Sequence, residues 1–156
     1  MLVTGAKRWG LIVSMTRLVH FGPISDELRR KHEAVTKVDA AFIANTKPGA
    51  RVSDIFQRAV QTYAETGFAE EWKLHHQGGP TGYRGRDYRA TAATDAVVQE
   101  NQAFAWNPSI TGTKSEDTMI TSSNGIEIIS EIPYWPMVEV GYEGIVLKRP
   151  GILGRG

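Results

Sequence analysis

The order of strand-like and helix-like segments along the chain predicts an α+β fold. Two β-rich runs lie within residues 1–19, two amphipathic helical patterns follow between residues 26 and 66, and several short β-rich runs come after residue 102. Segregated helices and strands favour helices packed on an antiparallel sheet, whereas strict alternation would favour a parallel sheet. A chain of 156 residues suits a single domain with a sizeable core.

The composition excludes several kinds of function. The 18 Lys and Arg residues nearly balance the 17 Asp and Glu residues, so the net charge is +1 and we expect no nucleic-acid partner. The apolar runs are too short for a membrane span, and the first residues do not have the pattern of a signal peptide. The chain has no cysteine, which excludes disulfides and thiolate chemistry and fits a cytoplasmic location.

An antiparallel hairpin is predicted at the amino-terminal end. Residues 1–3 read as a strand that starts at once, residues 5–8 could turn the chain, and residues 10–19 form a second strand rich in β-branched side chains. This hairpin looks like the middle of a sheet whose earlier strands are absent.

Two helices are predicted next. Ser25 is a suitable N-cap for a helix over residues 26–45, and the Lys-Pro-Gly sequence at 47–49 ends it. Ser53 is expected to cap the second helix, which Gly67 ends. The apolar stripes of both helices are expected to pack against the sheet. His32, on the first helix, is expected to be solvated or to act in capping.

The remaining strands are predicted from short β-rich runs and their turns. Strands are expected at 102–107 and 117–121, and a turn at 123–125 leads into a returning strand at 126–129. We divide the chain into a domain at 1–132 and a tail at 133–156. The tail is expected to add one strand at 144–147 and a loose end.

Residues 75–89 concentrate the unusual chemistry of the chain. Two of the four histidines stand side by side there, and glycines, tyrosines and arginines follow within a few positions. Glycines let the backbone approach another group closely, so polar side chains among them indicate a site. A Gly-rich connection with solvated arginines is the alternative interpretation.

Three separated pieces of the sequence resemble one family in order and spacing. They are residues 10–17 with Phe21-Gly22, residues 75–82, and residues 107–118 with the Asn124-Gly125 turn beyond. Together they are similar to the C-terminal half of the pita-bread family, which includes prolidase, aminopeptidase P, methionine aminopeptidase and creatinase. The resemblance covers about residues 1–130. It implies half of a pita-bread fold, in which two helices pack on a curved antiparallel sheet.

The resemblance also implies where the metal ligands of the family would stand. Active members hold two divalent metals with two aspartates, one histidine and two glutamates. The corresponding positions here are Val3, Ser14, Gly79, Asn107 and Glu116. Only Glu116 keeps a suitable ligand, and one carboxylate cannot hold a dinuclear centre. We therefore predict no metal ligands and no cofactor, and we disfavour a metallopeptidase that uses Mn, Co or Zn.

The residues that remain predict a metal-free site. His75 and Glu116 are the candidate catalytic pair, and Tyr83, Arg86 and Asn107 are the candidate substrate-binding residues. An alternative is that these residues rebuild the vacated metal site as a hydrogen-bonded network without catalysis. If extended, His75 and its neighbour His76 would point to opposite faces and could not chelate one ion together.

Three functions stay open at this level. The first is a peptidase homologue that lacks its metals and acts as a binding or interaction domain. The second is a metal-free hydrolase of a small C–N bond, as in creatinase, and the third is an active metallopeptidase. A peptide or small amide is the expected ligand. Because the family places its site between two halves, we expect a homodimer or a missing N-terminal half to complete the fold.

Overall fold

The chain begins with the expected antiparallel hairpin. In the computed structural model, which describes all 156 residues, β1 (Leu2–Arg8) pairs with β2 (Leu11–Phe21). The turn lies at Trp9 and Gly10, which have φ of 52° and 87°. The expectation of a turn within residues 5–8 was wrong, because those residues continue β1 and the two positive φ angles of the tight turn fall after it.

The two predicted helices are present. Helix α1 (Asp26–Asn45) begins after Ser25, whose hydroxyl accepts a hydrogen bond from the Leu28 amide at 3.3 Å. Helix α2 (Val52–Glu65) has Arg51 at its N-cap position, so the expected cap at Ser53 was wrong. Gly67 follows the end of α2 with φ 86°, a left-handed conformation that favours glycine at a helix terminus. Neither helix has the length and apolar character needed to cross a bilayer.

A four-stranded antiparallel sheet carries the second half of the chain. Its order is β3 (Gly78–Pro80), β4 (Gln102–Trp106), β7 (Asp117–Ser122) and β8 (Gly125–Ile128). A short 3₁₀ helix, Glu71–Leu74, precedes β3. A small hairpin of β5 (Ser109–Ile110) and β6 (Thr113–Lys114) connects β4 to β7. The expected strands at 102–107, 117–121 and 126–129 are thus confirmed, with ends shifted by a residue or so.

The tail has more structure than expected. Strands β9 (Met137–Tyr142) and β10 (Ile145–Pro150) form a hairpin, and β11 (Ile152–Arg155) pairs in parallel with β2. The expectation of one strand and a loose end was wrong, because the last residues gain backbone partners on a strand that lies far away in sequence. Side chains of the tail also enter the protein interior, as Arg149 shows.

The main core joins both helices to the four-stranded sheet. Phe42 of α1 stacks on Trp106 of β4 with ring centroids 4.4 Å apart, and Phe104 extends the stack. The Trp106 indole donates to the Thr46 hydroxyl at 2.9 Å, which satisfies its buried N–H. The expected packing of the apolar stripes against the sheet is confirmed, since both helices contribute to this one cluster. This cluster determines which face of the four-stranded sheet the two helices cover.

A buried ionic network fastens the tail to the rest of the fold. Arg149 of β10 donates to Asp39 of α1 at 2.8 Å and to Asp117 of β7 at 2.9 Å. Asp117 also accepts from Arg17 of β2 at 2.8 Å. Burial raises the pKa of the Asp39 carboxyl even though Arg149 acts in the opposite direction. The network joins β2, α1, β7 and β10 at one point.

His32 belongs to the same buried region. It is only 5% exposed, and its ring nitrogens lie 2.8 Å from the Thr113 hydroxyl and 2.9 Å from the Pro150 carbonyl oxygen. The expectation of a solvated or capping role was wrong, because the carboxyl-terminal strands cover this face of α1. Burial lowers the pKa of the His32 imidazole.

Replacing Arg149 tests how far the tail supports the fold. Arg149→Met leaves two buried carboxylates without their shared cation, so we expect the free energy of unfolding to fall by about 3–5 kcal/mol in urea denaturation. Arg51→Met is the matched control. It removes an exposed pair with Asp95, and its effect is expected to stay below about 1 kcal/mol. Equal losses from the two variants would contradict this role of the tail.

Candidate functional site

Three of the five positions that correspond to metal ligands stand in one row across the strands. Val3 of β1 pairs with Thr16 of β2, and Thr16 forms a bridge with Glu116. Trp106 pairs with Asp117, so the next residues, Asn107 and Glu116, are neighbours at the ends of β4 and β7. The row therefore runs from Val3 through Glu116 to Asn107.

The other two positions lie in a second row, two residues away along the strands. The Ser14 amide donates to the Thr118 hydroxyl at 2.9 Å, and Thr118 pairs with Ala105, which pairs with Gly79. Side chains two residues apart on a strand share a face. All five positions consequently lie on one face of the combined strands.

Glu116 is the most strongly bound side chain of this face. Its Oε1 accepts from Arg86 at 2.9 Å, and its Oε2 accepts from Lys114 at 2.9 Å and from the Thr16 hydroxyl at 2.7 Å. Burial acts to raise the pKa of this carboxyl, but Lys114, Thr16 and Arg86 together hold the pKa below its usual value. Glu116 is therefore an ionised carboxylate with both oxygens engaged.

Arg86 extends from the segment after β3 to reach this face. Its guanidinium contacts Glu116 at 2.9 Å and the Ser14 hydroxyl at 3.5 Å. The segment is anchored by two backbone bonds, from Ile12 to the Gly82 carbonyl at 2.8 Å and from Asp87 to the Pro80 carbonyl at 2.9 Å. A fixed protein cation thus bridges the two rows.

Gly79 leaves no room for any side chain. Its φ is 151°, and a Cβ built on it would lie 2.4 Å from the Tyr88 carbonyl oxygen. The position that corresponds to the metal histidine is filled by the backbone of the segment that carries Arg86. A histidine does not fit there in this conformation.

His75 and His76 form a stacked pair between the 3₁₀ helix and β3. Their ring centroids are 4.4 Å apart at an interplanar angle of 25°. The two rings therefore lie on the same side of the chain, which is not the arrangement of neighbours within a regular strand. The pKa of His75 is lowered, mainly by burial and secondly by the charge of Lys114.

Several predicted site residues keep buried polar atoms without a partner. They are Oδ1 of Asn107, Nδ1 of His75 and Nε of Arg86. Asn107 is only 3% exposed, and its backbone N–H donates to the Gln77 backbone carbonyl at 3.1 Å. Buried polar atoms are normally satisfied, so each of these three atoms has an unmet hydrogen-bonding requirement in this structure.

The structure does not bring all the predicted residues together. Tyr83 is 75% exposed, and its ring lies over Gly10 at the hairpin turn, away from the buried cluster. No hydrogen bond joins His75 to Glu116, whose oxygens are held by Arg86, Lys114 and Thr16. The cluster around Glu116 contains Arg86 as predicted.

Two members of the cluster were missed from the sequence. Lys114 and Thr16 each bind the same carboxylate oxygen of Glu116. Lys114 stands two residues before Glu116, and this spacing across a strand-like stretch was the available signal, since i and i+2 side chains share a face. Thr16 gave no local signal, because its contact spans 100 positions of sequence.

The donor set does not suit a divalent metal ion. No group of three or more His, Asp or Glu side chains is placed to hold one. At the five corresponding positions only Glu116 offers a carboxylate, and that carboxylate already binds two cations. Oxygen and imidazole donors around a metal must be free to coordinate it, and here they are absent or occupied.

Comparison with known proteins defines the class. The sequence model of metallopeptidase family M24 matches residues 1–133, and the chain belongs to this family. The fold resembles the X-Pro aminopeptidase of Thermotoga maritima with a TM-score of 0.77 at 20% identity, over 98% of this chain and 40% of that one. It resembles prolidase from Pyrococcus furiosus with a TM-score of 0.74 at 19% identity, over 83% and 40% of the two chains. The expected half of a pita-bread fold is confirmed.

Sequence relatives point to two kinds of protein. An uncharacterized peptidase of Staphylococcus epidermidis is 27% identical over 123 residues, which cover 75% of this chain and 35% of the relative. The FACT complex subunit spt-16 of Caenorhabditis elegans is 32% identical over 104 residues, which cover 64% of this chain and 10% of the relative. The chain thus spans about a third of the length of the staphylococcal relative and corresponds to part of larger proteins.

A pair of glycine substitutions tests the packing at position 79. Gly79→Ala places a Cβ against the Tyr88 carbonyl, so we expect a loss of about 2–4 kcal/mol in the free energy of unfolding. Gly82→Ala is the control, because its Cβ would meet no atom within 4 Å. Its effect is expected to remain within about 0.5 kcal/mol. Similar denaturation midpoints for the two variants would contradict the close approach.

Proposed function

We propose that this domain binds a peptide or small amide ligand without a metal ion, as a member of its family that has lost the dinuclear centre. The observation that supports this most is the contact of the Arg86 guanidinium with Glu116 at 2.9 Å and with Ser14 at 3.5 Å. These two positions correspond to metal ligands in different rows of the site. A permanent cation of the chain links them, and an arginine keeps its charge at any pH of interest.

The charges of the cluster oppose metal entry. Two cations, Arg86 and Lys114, contact one carboxylate, Glu116, which leaves the cluster with one excess positive charge. A divalent ion about 4 Å from either cation would be repelled by on the order of 8 kcal/mol, for an effective dielectric constant of about 20. Glu116 is the one carboxylate of the cluster, and its oxygens already contact both cations.

The unpartnered polar atoms support an amide-containing ligand. Oδ1 of Asn107 accepts hydrogen bonds, Nε of Arg86 donates them, and both are buried without a partner. A peptide group supplies one donor and one acceptor, which are the kinds of partner that Asn107 Oδ1 and Arg86 Nε need. Tyr83 would lie at the exposed rim. The neighbours named X-Pro aminopeptidase and prolidase suggest Xaa-Pro peptides as the first ligands to test.

An interaction role has support of a second kind. One relative is named as a subunit of the FACT complex, so a sequence of this family occurs within a protein named for an assembly. In the present chain, the acid–base pair of His75 and Glu116 is not hydrogen bonded, which also favours binding over turnover.

The second candidate function is metal-free hydrolysis of a small C–N bond. It is favoured by the lowered pKa of His75, which burial keeps neutral near pH 7 and therefore able to accept a proton. In this reaction His75 would act as the base. Glu116 would hold Arg86 and Lys114 in position, and Asn107 would bind the substrate.

Metal analysis tests the proposed function directly. We expect purified protein to contain no stoichiometric Mn, Co or Zn, and calorimetric titration with each ion to show no site at the cluster. Arg86→Met with Lys114→Met removes both opposing cations and is expected to strengthen metal binding, because Glu116 becomes available. Stoichiometric metal in the unmodified protein, lost on Glu116→Gln, would contradict the proposal.

Assays on the same metal-free samples separate binding from hydrolysis. If the domain only binds its ligand, we expect Xaa-Pro dipeptides to shift resonances in the NMR spectrum of the protein and to be recovered intact. Turnover of a dipeptide or a creatine-like compound that disappears in both His75→Ala and Glu116→Gln would establish the hydrolase instead. Turnover that survives both substitutions would remove these residues from the site.

We also propose that β1 pairs with a second polypeptide, either another copy of this domain or the remaining part of a longer protein. All seven residues of β1 are exposed, and only its β2 edge is paired. An open strand edge favours strand addition.

For a second copy, light scattering after gel filtration is expected to give the mass of two chains. The Thr4→Pro variant is expected to reduce that mass to one chain. A concentration-independent mass of one chain would exclude self-pairing.

A further inference from the structure

A second cleft lies beside the stacked histidines and shares only His75 with the function proposed above. It has a volume of about 340 Å³, which is within the range of small-molecule sites. Phe56, Trp72 and Leu74 form the apolar part of its lining, called here the apolar wall, and the lining also includes Lys73, His75, His76 and Arg89. No Asp or Glu lines the cleft.

The apolar wall has a defined shape. Phe56 of α2 and Trp72 of the 3₁₀ helix meet edge to face, with ring centroids 5.7 Å apart. Ala90 adds a small buried side chain to the lining. Such a wall accommodates an aliphatic or aromatic group of modest size.

Arg89 supplies a free positive charge. Its side chain is exposed to the cleft and belongs to no ion pair of the protein. Lys73 differs, because it is paired with Glu70 and lies 5.9 Å from the Trp72 ring centroid. An unpaired guanidinium beside an apolar wall favours a carboxylate, which it can bind in a bidentate manner.

The surroundings of His76 also have a positive electrostatic potential. Burial, followed by the nearby charges of His75, Arg89, Arg86 and Lys114, lowers the pKa of His76 to about 4. All four of these groups act on the ring as positive charges. The neutral imidazole can donate a hydrogen bond to an anion, and a bound anion would relieve the excess positive charge.

We infer that this cleft binds a small free carboxylic acid as its anion, with the carboxylate on Arg89 and His76 and an apolar group on Phe56 and Trp72. The charge and the apolar wall are both required, since either alone would accept many other molecules. Binding here needs neither a metal nor the cluster around Glu116, and of the residues of the proposed function only His75 lines the cleft.

Histidine-selective NMR with two small probes tests this inference. The probes are 4-methylpentanoate and its neutral counterpart 4-methylpentanamide, which differ in charge but share the apolar group. We expect the acid to shift the His76 ring resonance in a saturable manner, with its assignment fixed by His76→Gln. The amide is expected to cause little shift.

Variants separate specific binding from a general charge effect. Arg89→Gln removes the charge-assisted hydrogen bonds and is expected to weaken acid binding by about tenfold or more. Arg89→Lys keeps the charge and is expected to retain most of the affinity. Arg155→Gln is the matched control, because Arg155 is also exposed and unpaired but does not line the cleft, and its affinity is expected to stay within about twofold.

Three results would overturn the inference. They are equal shifts with the acid and the amide, a shift that does not saturate, and equal weakening in the Arg89→Gln and Arg155→Gln variants. Each would show that Arg89 provides no specific carboxylate site.

Discussion

The fold depends on the buried carboxylate of Asp117. It accepts hydrogen bonds from Arg17 of β2, from Arg149 of β10 and from the hydroxyl of Ser130, and Arg149 extends the network to α1. Successive side chains of a strand alternate between faces, so the anchoring of Asp117 in the interior turns the preceding residue, Glu116, towards the site. Two consecutive acids therefore have separate roles, one structural and one in the candidate site. This adjacency couples the stability of the tail to the geometry of the cluster around Glu116.

Much of the fold follows from local signals in the sequence. Helix α1 was predictable to the residue, because Ser25 caps it and a Lys-Pro-Gly sequence follows it. The strands of the second half were predictable from β-rich runs and a Ser-Asn-Gly turn. The tail strand β11 was not, because its parallel partner β2 lies more than 100 positions earlier and no local pattern encodes that pairing. His32 was misjudged for the same reason, since the strands that bury it come from the far end of the chain.

The candidate site shows the same division between local and distant information. The five ligand-equivalent positions were found through the family resemblance, and strand register brings them to one face. The two-residue spacing was a signal for Lys114 as a partner of Glu116, whereas the contact of Thr16 depends on tertiary structure. The stacking of His75 on His76 also lay beyond sequence reasoning, because it depends on a bend between the 3₁₀ helix and β3. Sequence thus predicted the candidate residues, and the structure supplied the charge balance around Glu116.

The close approach at Gly79 has a historical consequence. If an ancestor carried a histidine at this position, the segment that bears Tyr88 has since moved into the volume of that side chain. A single reversion would then meet a backbone carbonyl, which cannot swing aside as a side chain can. A histidine would fit at position 79 only if the segment of residues 81–89 moved, and that segment also holds Arg86. Any change that restored the histidine would therefore also disturb the contact of Arg86 with Glu116.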